Sequence, residues 1–129
     1  MVMSPAKFAE MVRGEEVHWS APPHVDSAPA TAFRTSADEL LAAWRQGNGG
    51  PSMGPDWQTA EIAVHTYDLA RALDRPTDVL DAEVAERGLA FMQANLKPEM
   101  RSQAFGPEQP APEEADPYQR IAAFAGRHL

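Results

Sequence analysis

No cysteine occurs in this chain of 129 residues. Disulfides, thiolate metal sites and a cysteine nucleophile are therefore excluded. Basic residues are scarce too: 11 Lys and Arg stand against 19 Asp and Glu, for a formal net charge of −8. The few cations are dispersed, whereas a nucleic-acid or anionic-membrane surface needs a concentrated basic patch. Neither partner is expected. No apolar run reaches the ~18 residues of a membrane span, and the N-terminus lacks the basic-then-apolar plan of a secretory signal. The chain reads as a cytoplasmic protein.

What the sequence does contain is helical periodicity. Hydrophobic residues make up 43% and charged residues 23%, the balance of a globular protein with one modest core. We read residues 1–129 as a single domain. A first helix is expected from about Pro5 to Arg13, with Phe8, Met11 and Val12 on one face and Gly14 as terminator. The proline-rich "HWSAPPHVDSAP" cannot be helical throughout. A second helix, about Ala30 to Gln46, carries the apolar stripe Phe33, Ala37, Leu40, Leu41 and Trp44. It ends in "GNGGPSMGP", which lacks the Lys-Ser/Thr ending of a phosphate loop and follows a helix. A third helix runs from about Asp56, its expected N-cap, to Leu73, and is stopped by Pro76. A fourth, about Asp81 to Leu96, buries Val84, Ala85, Leu89, Phe91 and Met92. The four prolines of "KPEMRSQAFGPEQPAPEEAD" make an irregular surface strap. Asp116–Pro117 then opens a short closing helix ending near Gly126. No segment alternates as a strand, so the fold class is all-α.

The third helix, in "WQTAEIAVHTYDLARALDRP", carries an unusual stripe. Glu61, His65 and Asp68 project along one side, flanked by Ile62, Leu69 and Leu73 on one hand and Trp57 and Val64 on the other. Thr59, Ala63, Thr66 and Ala70 form the opposite, expected outer side. Ionisable groups on an apolar face must be paired or bind a metal. An i, i+4 pair brings two side chains to within ~6 Å, close enough for one ion, and a carboxylate with an imidazole suits zinc, iron or nickel. The same spacing also makes an ordinary helix salt bridge. As a metal site the pair is half complete, since a catalytic zinc takes three protein ligands. Asp68 is placed to orient a ligand or to fix a basic group such as Arg71 or Arg101. Trp44 and Trp57 read as core, and Trp19 as a loop residue covering it. Ser, His and Asp form no nucleophile-elbow pattern.

"AEIAVHTYDLARALDRP" resembles the actinobacterial DinB-like superfamily, near the metal-binding domain of mycothiol-dependent maleylpyruvate isomerase. "MRSQAFGPEQPAP" and "DPYQRIAAFAGRHL" resemble that group's strap and closing helix; "KFAEMVRGEE" and "AFRTSADELLAAWR" fit its earlier helices more loosely. The resemblance implies a four-helix bundle holding a divalent metal, usually zinc, by a His-Glu-His set. Glu61 and His65 match its Glu and second His. The first His belongs to an opening helix upstream of "KFAEMVRGEE", which this sequence lacks. Three alternatives stay open: the metal is lost and the pair is a relic, a second chain supplies the ligand, or His18 or His24 has taken its place. His128, beside the C-terminus, is read as unligated.

The expected function is metal-assisted activation of a low-molecular-weight thiol, mycothiol by resemblance, for addition to a small electrophile. That makes the chain a thiol-dependent isomerase or S-transferase. The alternative is a non-catalytic helical interaction domain that has lost a complete metal site. In either case a bundle without its opening helix leaves Phe8, Met11, Leu40 or Trp44 partly uncovered, so a homodimer or a partner chain is expected.

Overall fold

The computed structural model describes residues 5–18, 27–47, 54–101 and 105–129. Trp19, His24 and most of the glycine-rich loop fall outside them. All regular elements among the described residues are helical: α1 (Pro5–Val12), α2 (Pro29–Arg45), α3 (Asp56–Ala72), α4 (Ala82–Asn95), a 3₁₀ turn (Pro98–Met100) and α5 (Pro117–Phe124). None of these helices is long and apolar enough to cross a membrane. The chain divides into two compact units, Met1–Gly54 and Pro55–Leu129.

In the first unit α1 packs on α2. Phe8, Ala9 and Val12 are buried, and Met11 is half-buried. Gly14 closes α1 at φ +76°, the left-handed conformation that glycine adopts without penalty. The stripe expected on α2 needs correction. Leu40 is buried as expected, together with Ala43, but Phe33 is 54% and Leu41 47% exposed. Eight residues of α1 span about 12 Å at 1.5 Å per residue. The seventeen residues of α2 span about 25 Å. Helix α1 therefore leaves the Phe33 end of the stripe uncovered, while Leu41, between the buried Leu40 and Ala43, points off the covered strip. Of the four residues expected to include partly uncovered ones, Phe8 and Leu40 are covered and Met11 and Trp44 are half-buried.

In the second unit α3, α4 and α5 pack on one another around Ala60, Ala63, Val64, Tyr67, Ala85, Met92, Tyr118, Ile121, Ala122 and Ala125. Five of these ten residues are alanines. The burial of α3 is thus rotated from the expected one: Ala63 and Ala70, assigned to the outer side, are buried, while Leu69 and Leu73 are each 60% exposed. The cause lies on α4. Gly88 is buried, and a Cβ there would stand 2.9 Å from Ala60 Cα and 2.9 Å from Ile121 Cδ1. Small residues let the helices approach so closely that α3 gains more by burying its alanine face than by turning Leu69 inward.

The helix ends follow from local chemistry. Asp56 is not the N-cap of α3; Pro55 holds that position, and Asp56 in the first turn accepts a 2.6 Å bond from Arg87 Nε of α4. At the other end Asp74 adopts φ 51° and Arg75 N–H donates to Ala70 C=O at 2.8 Å, a Schellman closure before Pro76. Asp81 caps α4, accepting from Glu83 N–H. Asp116 caps α5 in a complete capping box with Gln119, as the Asp-Pro signal predicts, and also accepts from Thr77 Oγ1 at 2.7 Å.

Candidate functional site

Glu61, His65 and Asp68 project from successive turns of α3, at the margin of its alanine face and not in the middle of the core. All three are half-buried. Their spacing brings them together as expected. His65 Nε2 lies 3.4 Å from Glu61 Oε2, and its Nδ1 lies 3.2 Å from Asp68 Oδ2. The imidazole is thus held between two carboxylates, one at each nitrogen.

This placement raises the pKa of His65. Glu61 is the largest influence, burial opposes it, and Asp68 adds to it. Glu61 dominates although its contact is the longer one; Asp68 also faces a cation. That cation is neither Arg71 nor Arg101. Arg71 is exposed at the end of α3, and Arg101 donates to the carbonyls of Gly106 and Phe124 at 2.8 and 2.7 Å, with its guanidinium over the Phe124 ring. The partner of Asp68 is Arg127, just beyond α5. Its Nε lies 3.2 Å from Oδ1 and its Nη2 3.1 Å from Oδ2, a bidentate pair. Arg127 also donates from Nη1 to Ala125 C=O at 3.1 Å.

Sequence reasoning missed Arg127 because it is 59 residues from Asp68 and belongs to no local motif. A usable signal was present in "AGRHL", where a glycine just past the closing helix reverses the chain and aims the next side chain backwards.

Whether Glu61 and His65 fit a metal can be tested on their separation. Two ligands bonded at about 2.0–2.2 Å with a tetrahedral angle between them lie about 3.4 Å apart. Glu61 Oε2 and His65 Nε2 are 3.4 Å apart, a separation that suits two ligands of one ion and also a loose i, i+4 ion pair. Asp68 Oδ2 faces Nδ1, where it would accept Nδ1–H if Nε2 were to bind a metal. The two residues fit one edge of a metal site. Among the described residues no group of three or more His, Asp or Glu side chains is assembled for a metal. His18 is exposed in the first unit, where its carbonyl accepts from Lys7 Nζ.

Comparison with other proteins adds kinship without a function. Two Mycobacterium tuberculosis proteins, "Uncharacterized protein MT0763" of strain CDC 1551 / Oshkosh and "Uncharacterized protein Rv0738" of strain ATCC 25618 / H37Rv, are each 39% identical to the chain over 72 residues. The match takes in 54% of this chain and 39% of each relative, so the chain spans well under half the length of these relatives. No family model matches the chain, and no solved structure does.

Proposed function

We propose that this chain is a metal-binding helical domain of the DinB-like type, akin to the mycothiol-dependent isomerases, in which Glu61 and His65 are two ligands of a divalent cation, zinc by preference. The observation that carries this reading is the 3.4 Å separation of Glu61 Oε2 and His65 Nε2. Zinc is favoured over magnesium because an imidazole nitrogen is one of the two donors. Asp68 keeps the Nδ1 proton of His65 in place, which leaves Nε2 free to coordinate. Glu61 offsets one charge of the dication. When bound, the metal supplies a Lewis acid that lowers the pKa of a coordinating thiol. The chain has no cysteine, so the thiol belongs to a cosubstrate such as mycothiol, and the reaction is a thiol-dependent isomerisation or S-transfer to a small electrophile. The remaining protein ligand lies beyond the described cluster, in another part of the chain or in a partner.

The test is elemental analysis of protein purified without a histidine tag, followed by melting with and without a chelator. A bound ion stabilises the fold by mass action, about 2.7 kcal/mol at a hundredfold excess over Kd. Chelation should lower the midpoint of the wild type and leave His65→Ala unaffected, and Glu61→Gln should fall between them. Metal content of zero in the wild type, with identical chelator responses in all three proteins, would refute the reading.

A second reading, a helical interaction domain, is favoured by a different observation. Phe33 and Leu41 on α2, and Leu69 and Leu73 on α3, are all exposed. If these faces serve association, the protein is a homodimer, and Phe33→Gln with Leu69→Gln shifts it to monomer in sedimentation. An unchanged sedimentation coefficient removes this reading.

A further inference from the structure

We infer that Arg127 is a positioning residue of the α3 site, and that the closing turn after α5 is built to deliver it. The inference rests on the metal-site reading for its purpose, but its geometry stands independently.

The delivery begins with backbone. After Ala125, Gly126 turns at φ +91°. Gly126 N–H donates to Ala123 C=O at 2.9 Å, and Arg127 N–H donates to Ala122 C=O at 2.9 Å. These are the two bonds of a Schellman motif, which reverses the chain at a helix end. Arg127 is therefore thrown back along α5 towards α3. The turn is held from outside by the strap. A Cβ on Gly126 would stand 2.7 Å from Gly106 Cα, so two glycines meet backbone to backbone. Gln109 N–H donates to Ala123 C=O at 2.9 Å, and Arg101 ties Gly106 C=O to Phe124 C=O. Glycine is required at 126 twice over, for its dihedral and for the space.

The bidentate grip then acts on Asp68. With Nε and Nη2 of Arg127 on its two oxygens, the carboxylate plane cannot rotate freely. Oδ2 stays on His65 Nδ1, which fixes the ring plane and selects the tautomer with the proton on Nδ1. Without the guanidinium, Asp68 is free to turn to solvent, and the ring proton can sit on Nε2 instead, where it is donated to Glu61. That second tautomer cannot ligate through Nε2. Arg127 would thus raise metal affinity without touching the metal.

The experiment uses the full chain in four variants, one of them Arg127→Lys. Arg127→Gln removes the grip but leaves the backbone alone, Gly126→Ala displaces the turn, and Thr77→Val removes the hydroxyl that binds Asp116 at the far end of α5. The readouts are the ring ¹⁵N shifts of His65 in metal-free protein at alkaline pH, and the zinc affinity by competition with a chromophoric chelator. The wild type should show the Nδ1–H tautomer. Arg127→Gln and Gly126→Ala should shift it towards a mixture and weaken zinc by about 10- to 100-fold, while Thr77→Val should lower the melting temperature with both readouts unchanged. Arg127→Lys should restore affinity only partly, since an ammonium cannot grip both oxygens in one plane. If Arg127→Gln melts lower but leaves ring shifts and zinc affinity as in the wild type, Arg127 is a structural tie and the inference is wrong. If no variant binds zinc, the wild type included, the metal reading fails, and the ring shifts alone decide the positioning role.

Discussion

Gly88→Ala tests the packing that sets the orientation of α3, and its sign is informative. In an exposed helix interior the change would stabilise by about 0.8–1.0 kcal/mol, because alanine loses less backbone entropy than glycine. At position 88 the new methyl meets Ala60 Cα and Ile121 Cδ1, each at 2.9 Å. The first of these is backbone and cannot yield without moving α3; the second is a side-chain end and can rotate. Overpacking of this kind costs about 1–3 kcal/mol, so the packing term outweighs the propensity term. A net loss of about 1 kcal/mol is expected, or a few degrees in Tm. Ala90→Gly, at an exposed site of the same helix, calibrates the propensity term alone and should cost about 1 kcal/mol. Ile121→Val removes Cδ1 and should be less harmful when combined with Gly88→Ala than when made alone, because it relieves half of the clash. Chemical denaturation of the single variants and the combined one gives these differences directly. If Gly88→Ala stabilises by as much as Ala90→Gly destabilises, α3 and α4 do not approach closely at Ala60, and the account of the alanine face collapses.

Other perturbations probe single links. Asp74 holds φ 51° in the closure of α3, where glycine is preferred; Asp74→Gly should raise stability by about 0.5–1 kcal/mol, and a loss in thermal melts would show that the Asp74 side chain contributes more than its strain costs. Asp116→Ala removes the acceptor of Tyr118 N–H, Gln119 N–H and Thr77 Oγ1, and should cost about 2 kcal/mol, with Asp116→Asn milder; equal losses for the two would mean that charge, not capping geometry, matters. In metal-free protein the raised pKa of His65 gives a stability contribution that is complete below the unfolded value near 6.5 and lost as pH rises through the folded value. The stability difference between wild type and His65→Ala should therefore shrink from about pH 6 upwards, and a difference that grows over that range would contradict the double-carboxylate environment.

The helices were legible because their start and stop signals are local. Gly14, Pro76 and Asp116–Pro117 each act within a few residues, and each element lies close to its expected bounds. The orientation of α3 was not legible. Hydropathy weighs Leu69 and Leu73 above Ala63 and Ala70, but burial depends also on how near the partner helix can come, and that distance is set by Gly88 on another element. On α2 the pattern misled for a different reason. The length of α1 decides the exposure of Phe33, whereas Leu41, between the buried Leu40 and Ala43, faces away from the strip that α1 covers.

The same rotation explains how a Glu-x-x-x-His pair is tolerated here. With Ala60, Ala63 and Tyr67 turned into the core, the polar stripe moves to the margin, where water reaches one side of each group. The desolvation that would penalise two carboxylates and an imidazole at the centre is then only partial. Charge balance completes the arrangement: two acids face the imidazole, and the guanidinium of Arg127 neutralises one of them. The other acid, Glu61, is left facing His65 Nε2 at ligand separation. Alanines on α3 and a glycine on α4 thus do more than pack a small bundle. They place the polar stripe where its groups are only half-buried, remain accessible from solvent, and are still held by a residue from the C-terminal end of the unit.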